Sequence, residues 1–162
     1  MSMANQFMRL LKGITMVALV AFVAACARTP DAGVGNLGPG QAQPGTPQEF
    51  LVAVGDRVFF ETDSSVLTAE ARATLDKQAV WLQKHSQYKV LIEGHADERG
   101  TREYNIALGA RRGTAVVNYL VSRGVSSTRI TTKSFGKERP VAVCDDISCW
   151  SQNRRAVTVL LP

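Results

Sequence analysis

With two histidines, three cysteines and no apolar run long enough to cross a bilayer, this 162-residue chain has little material for several classes of function. The apolar stretch from Gly13 to Val23 is about eleven residues, short of the ~20 that a spanning helix needs. His85 and His95 stand far apart, and His95-Ala96-Asp97 without further ligands makes a weak metal site, so neither metal nor cofactor is expected. His95, Asp97, Glu98 and Glu103 could move protons, but no nucleophile with a base and an orienting group accompanies them. No catalytic residue is assigned and a hydrolase is not expected. The excess of 19 Lys and Arg over 14 Asp and Glu is too mild to argue for nucleic acid. The basic doublets Arg111-Arg112 and Arg154-Arg155 have no base-stacking aromatic sequence beside them.

What is present begins with an address. Arg9 and Lys12 precede the short apolar run, which ends in Val23-Ala24-Ala25-Cys26. That order is a secretory signal, and small residues before a cysteine resemble the lipobox of bacterial lipoproteins. The resemblance implies cleavage after residue 25 and acylation of Cys26, which holds a soluble domain on a membrane because each buried CH₂ contributes about 0.8 kcal/mol. Ala27-Arg28 lacks the aspartate that retains such proteins in the inner membrane, so the outer membrane is the expected address. Once Cys26 is given to lipid, Cys144 and Cys149 remain as an even pair in an oxidising compartment. A local disulfide is expected, since their spacing is not that of C-x2-C redox or zinc motifs.

Glycines 33, 35, 38, 40 and 45, with Pro30, Pro39, Pro44 and Pro47, make residues 26–49 read as a flexible tether ahead of a single domain at 50–162. Structure is expected to start near Arg57-Val58-Phe59-Phe60, a β-rich run closed by turn formers. Thr68 offers a helix cap, and Ala71, Leu75, Ala79 and Leu82 recur along one stripe to about His85. A second strand spans Tyr88 to Glu93, with Gly94 as its stop. A second helix starts between Thr101 and Tyr104, turns Leu108, Ala115, Val116, Tyr119 and Leu120 inward and ends at Gly124. Strands at Arg129–Phe135 and Ala156–Leu161 complete a βαβαββ pattern, with a loop holding Pro140 and both cysteines between them. The expected fold is α/β, an α+β sandwich of two main helices on one face of a small mixed four-stranded sheet. Trp81, Phe59, Phe135 and Val90 are its candidate core.

The densest run of functional side chains is Glu93-Gly94-His95-Ala96-Asp97-Glu98-Arg99-Gly100, followed by Tyr104-Asn105 and Leu108-Gly109-Ala110-Arg111-Arg112. Asp97 and Arg112 together could grip a zwitterion, the carboxylate taking an ammonium and the guanidinium fork a carboxylate. A structural ion pair, or two separately solvated charges, explains the same spacing.

This run is similar to the signature of the OmpA-like peptidoglycan-binding domain in the form borne by lipid-anchored members. The likeness extends over about residues 57 to 161, through Val58-Phe59-Phe60, Ser134-Phe135-Gly136-Lys137-Glu138-Arg139-Pro140 and Asn153-Arg154-Arg155-Ala156-Val157. It implies noncovalent binding of the peptidoglycan stem peptide through meso-diaminopimelate, with Asp97 on its amino group and Arg112 on its carboxylate. Phe60, Thr62, Asp63, Arg99, Asn105 and Arg155 fall on secondary positions of that pocket. The likeness also implies TolB and other Tol components as protein partners, in envelope integrity and division. The alternative is a domain that mainly docks periplasmic proteins. Two departures stand out: Glu61 occupies a place where the family usually has aspartate, and the Cys144–Cys149 pair is an addition.

Overall fold

The computed structural model describes residues 42–162; the signal segment, Cys26 and the tether as far as residue 41 lie outside them. Its elements run α1 (Pro47–Glu49, continuing as a π-helical turn Phe50–Val54), β1 (Arg57–Phe59), α2 (Ala69–Lys84), β2 (Lys89–His95), α3 (Arg102–Ser122), β3 (Ile130–Gly136), α4 (Ile147–Asn153) and β4 (Arg155–Leu161). The sheet has the order β1-β4-β2-β3, with β2 parallel to β3 and β4 antiparallel to both β1 and β2. It is the α/β arrangement of two long helices on a mixed four-stranded sheet.

Thr68 caps α2, its hydroxyl accepting from Ala71 N at 3.1 Å, and Thr101 caps α3 in the same way through Tyr104 N at 3.2 Å. The stripe Ala71, Leu75, Ala79 and Leu82 is buried, as are Trp81 and Val90. Gly124, at φ 91°, follows the end of α3 in the left-handed conformation that glycine adopts without penalty.

Four expectations are corrected. Phe59 is 48% exposed, because side chains alternate along a strand and Val58 and Phe60 take the inward places. Phe135 is half-buried on the sheet face away from the helices, where it stacks on His95 with centroids 5.5 Å apart. Gly94 does not stop β2: the strand runs on to His95, and the glycine is there because a Cβ would run into the Gly109 carbonyl of α3. The segment before β4, read as loop, contains α4, capped by Asp146, which accepts from Ser148 N at 2.7 Å.

Among the described residues secondary structure also starts earlier than Arg57, and the last residues assigned to the tether make contacts with the domain. Glu49 accepts from Trp81 Nε1 and from Gly45 N, both at 2.7 Å, Tyr88 donates its hydroxyl to Gly45 O, and Phe50 is buried against Trp81. These contacts form a strap beside the start of β2, at the opposite end of that strand from the loop Ala96–Gly100.

Candidate ligand-binding cleft

The cleft opens where β2 passes into α3. Three segments build it: the loop after β1, the loop after β2 and the first two turns of α3. It is about 240 Å³ and is lined by Thr62, Asp63, Asp97, Arg99, Gly100, Tyr104, Asn105 and Leu108. Local hydrogen bonds fix these loops. Asn105 donates Nδ2 to Arg99 O at 2.8 Å, and Lys137 donates Nζ to Glu98 O and Gly100 O at 3.0 and 2.7 Å. Asp63 has φ 55°, a left-handed conformation that aspartate tolerates better than most residues, and its carboxylate accepts from the Tyr104 hydroxyl.

Asp97 is 7% exposed. Its Oδ1 accepts from Arg99 N and Nε at 3.2 and 3.1 Å; its Oδ2 accepts from Arg99 Nη2 at 2.7 Å and Arg154 Nη1 at 3.5 Å. Burial alone pushes this carboxyl up, but the Arg99 hydrogen bonds and charge, with Arg154, outweigh it and hold the group below the ordinary carboxylate value. Arg99 in turn lies over the Trp150 ring at 4.3 Å, and Trp150 donates Nε1 to Glu98 Oε1 at 2.9 Å.

Arg112 sits behind the wall of the cleft, 0% exposed. It donates Nε to Ser64 O at 2.8 Å, Nη1 to His95 O at 2.8 Å and Nη2 to Glu61 O at 3.1 Å, and stacks over Phe60 at 5.1 Å. One side chain therefore ties the loop after β1 to the end of β2. Burial pushes its guanidinium down to about 10, with Arg154 acting the same way and Asp97 and Asp63 opposing, so it keeps its charge at neutral pH. The signal for this burial is in the sequence: Asn105, Leu108, Gly109, Arg112, Gly113, Val116 and Leu120 form one inward stripe of α3.

Of the residues singled out from sequence, Asp97, Thr62, Asp63, Arg99 and Asn105 share the cleft, while Phe60 and Arg112 are buried outside its lining, Phe60 stacked against the Arg112 guanidinium. Arg155 does not join them. As the first residue of β4 it lies near His95, donating to Arg139 O and Asn153 O. Its neighbour Arg154, which the motif does not mark, faces Asp97 and donates Nε to Phe60 O at 3.0 Å. Tyr104, Gly100 and Leu108 are further lining residues that the motif alone does not single out. Glu61, the departure from the family pattern, gives Arg112 its backbone carbonyl, an acceptor indifferent to side-chain length. Cys144 and Cys149 are joined as a disulfide at the base of α4. His95 is buried with its ring stacked on Phe135, away from the cleft, and does not present an acid-base group there. Among the described residues no three His, Cys, Asp or Glu side chains gather as a metal site.

Fold and cleft define a class, and the comparison with known sequences agrees. The chain belongs to the OmpA family, whose model matches residues 59–154. Within it, the chain is 61% identical over 151 residues to the peptidoglycan-associated lipoprotein of Mesorhizobium japonicum, covering 90% of each chain. It is 58% identical over 164 residues to that of Rhizobium meliloti, covering 97% of this chain and 93% of the relative. The crystal structure of the peptidoglycan-associated lipoprotein from Burkholderia pseudomallei superposes with a TM-score of 0.64 at 42% identity, over 65% of this chain and 90% of that one. The C-terminal domain of Helicobacter pylori MotB shares the fold at 21% identity, with a TM-score of 0.62 over 66% of this chain and 84% of that one. Among the described residues no helix is long and apolar enough to cross a membrane.

Proposed function

We propose that this chain is an outer-membrane lipoprotein that ties the membrane to the cell wall. Cys26 carries the lipid, the glycine- and proline-rich segment gives reach, and the domain holds the meso-diaminopimelate of a peptidoglycan stem peptide without a covalent bond. Support comes from the OmpA-family match and from the names of relatives aligned over almost the whole chain.

The observation that carries the assignment is Asp97, a buried carboxylate kept ionised in a cleft of about 240 Å³. Such a group is suited to an ammonium, because a desolvated charge is worth more to an opposite charge than one in water. The positive side of the cleft comes from Arg99 at its rim and from Arg112 behind it. Arg112, enclosed behind the wall, acts on the ligand's carboxylate through its positive charge and by holding the carbonyls of Glu61, Ser64 and His95 in place. Thr62, Asp63 and Asn105 complete the walls. Each site is expected to bind modestly, and many copies on one membrane surface would hold the wall by multivalency. TolB and other Tol components are the protein partners this role implies, in envelope integrity and division.

Calorimetric titration of the detergent-solubilised full-length protein with a diaminopimelate-containing stem peptide tests the reading. Asp97→Asn keeps the shape and removes the charge. It should weaken binding by about 2 kcal/mol, roughly thirtyfold. A wild-type protein with no affinity for the peptide would refute wall binding and leave protein docking as the role of the domain.

A further inference from the structure

Every acceptor position of Asp97 is already taken by groups of its own chain. Two of the four donors, Arg99 N and Arg154 Nη1, belong to the loop backbone and to a buried side chain; the other two are Nε and Nη2 of Arg99. The Arg99 side chain is 40% exposed and is the one that can leave. An incoming ammonium must therefore take the place of the Arg99 guanidinium. The other face of that guanidinium rests on Trp150, 4.3 Å from the ring centroid. Trp150 is itself held from two sides, by its hydrogen bond to Glu98 and by α4, where the adjacent Cys149 is buried and bonded to Cys144.

We propose that Trp150 and Arg99 form a selectivity element of the wall-binding site: the arginine, displaced from Asp97 but kept at the rim by the indole, is satisfied by a ligand carrying a carboxylate beside its ammonium. The inference rests on the peptidoglycan reading above. A meso-diaminopimelate side chain ends in an ammonium and a carboxylate on one carbon, so it replaces the ion pair that it breaks. A lysine side chain, the other common diamino acid in stem peptides, brings the ammonium alone and leaves Arg99 without its anion. Glu98, the carboxylate next to Arg99 in the loop, has one oxygen accepting from the Trp150 indole. Losing its partner costs the guanidinium its charge-assisted hydrogen bonds to a carboxylate, whereas exchanging one carboxylate for another is nearly neutral. Trp150 acts here through Arg99 and is a positioning residue.

The test is a ratio. Full-length protein in detergent micelles is titrated with two stem tetrapeptides that differ only in having meso-diaminopimelate or lysine at the third position. Wild type should prefer the first by roughly tenfold or more. Trp150→Ala should lower that ratio severalfold, and Trp150→Phe, which keeps an aromatic face for the cation, should restore most of it. Arg99→Met should bring the ratio toward one, chiefly by improving the lysine peptide, because the internal competitor has gone. In Trp150→Ala, the Asp97 carboxyl followed by NMR should titrate closer to the ordinary aspartate value. Equal losses for both peptides in Trp150→Ala, with the ratio unchanged, would make the indole a merely structural prop and overturn the proposal. A wild type that binds both peptides equally would overturn it while leaving wall binding intact. Failure to bind either peptide would sink the peptidoglycan reading and this inference with it.

Discussion

Two arginines stand at opposite ends of β2 and do the same chemistry with different consequences. At the start of the strand Arg129 donates Nε to Tyr88 O, Nη1 to Leu82 O, and Nη2 to both His85 O and Tyr88 O, at 2.7 to 3.1 Å. At its end Arg112 donates to Ser64 O, His95 O and Glu61 O. Both side chains stitch a strand terminus to neighbouring loops by donating to several backbone carbonyls at once. Arg129, however, is half-buried beside the strap, at the end of β2 away from the cleft. Arg112 is fully enclosed and faces the field of Asp97. The comparison teaches that a guanidinium becomes part of a binding site by where its charge stands, since both side chains bind carbonyls alike.

The sharpest way to break the comparison is Arg112→Ala. It removes the donor from the buried His95 carbonyl and from the part-buried carbonyls of Ser64 and Glu61, empties the volume behind the cleft, and should lower stability by about 4 kcal/mol in thermal or denaturant unfolding, with ligand binding lost. Arg112→Lys keeps the charge but cannot reach three carbonyls at once, and should recover only part of that loss.

A second test uses the neighbour of Arg112 in the web, His95. Burial first, then the Arg155 and Arg139 charges, push its imidazole down to about 4. The unfolded chain thus takes up a proton at this position near pH 6.5 and the folded one only near pH 4. The stability due to neutral His95 is complete above pH 6.5, falls as pH drops through that window, and levels off below about 4. The loss should approach ~3 kcal/mol, and His95→Leu should remove that part of the acid sensitivity of the melting temperature.

Arg129→Ala probes the other end of β2. Its carbonyl partners lie near solvent and can turn to water, so a loss of about 2 kcal/mol is expected, with affinity for the stem peptide unchanged. A clear loss of affinity there would show that both ends of the strand act on the cleft. The smallest effect is assigned to the double substitution Cys144→Ser with Cys149→Ser. Opening so short a loop should cost about 1 to 2 kcal/mol in the melting measurement, on the chain-entropy account.

Much of this molecule is legible in its sequence. The cap at Thr68, the stripe Ala71-Leu75-Ala79-Leu82 and the end of α3 at Gly124 all follow from local rules, because a helix declares itself through periodicity and caps. The loop from Ala96 to Gly100 stands out through its charged residues, and five of the named site residues, Asp97, Thr62, Asp63, Arg99 and Asn105, meet in the cleft it borders. Other features escape. The seven residues of α4 are too few to show a stripe, so a capped helix reads as loop. Phe59 is lost to parity, since a short β-prone run does not say which side faces in until the register with β4 is set. Parity also separates Arg154 from Arg155, adjacent residues that end on opposite sides of the sheet.

The sequence by itself determined the two long helices with the cap at Thr68 and the stop at Gly124, the four strands in the order βαβαββ and the cluster of charges after β2, since these depend on neighbours within a turn or two of chain. The tertiary structure alone decided that Arg112 is buried against three carbonyls, that Arg99 occupies Asp97, and that Trp150 arrives over Arg99 from a helix far downstream. The physical reason is that the partners of these cations are mostly backbone carbonyls and an aromatic face. Every residue carries a carbonyl, so residue identity does not say which one an arginine will find until the chain has folded and left it without another donor.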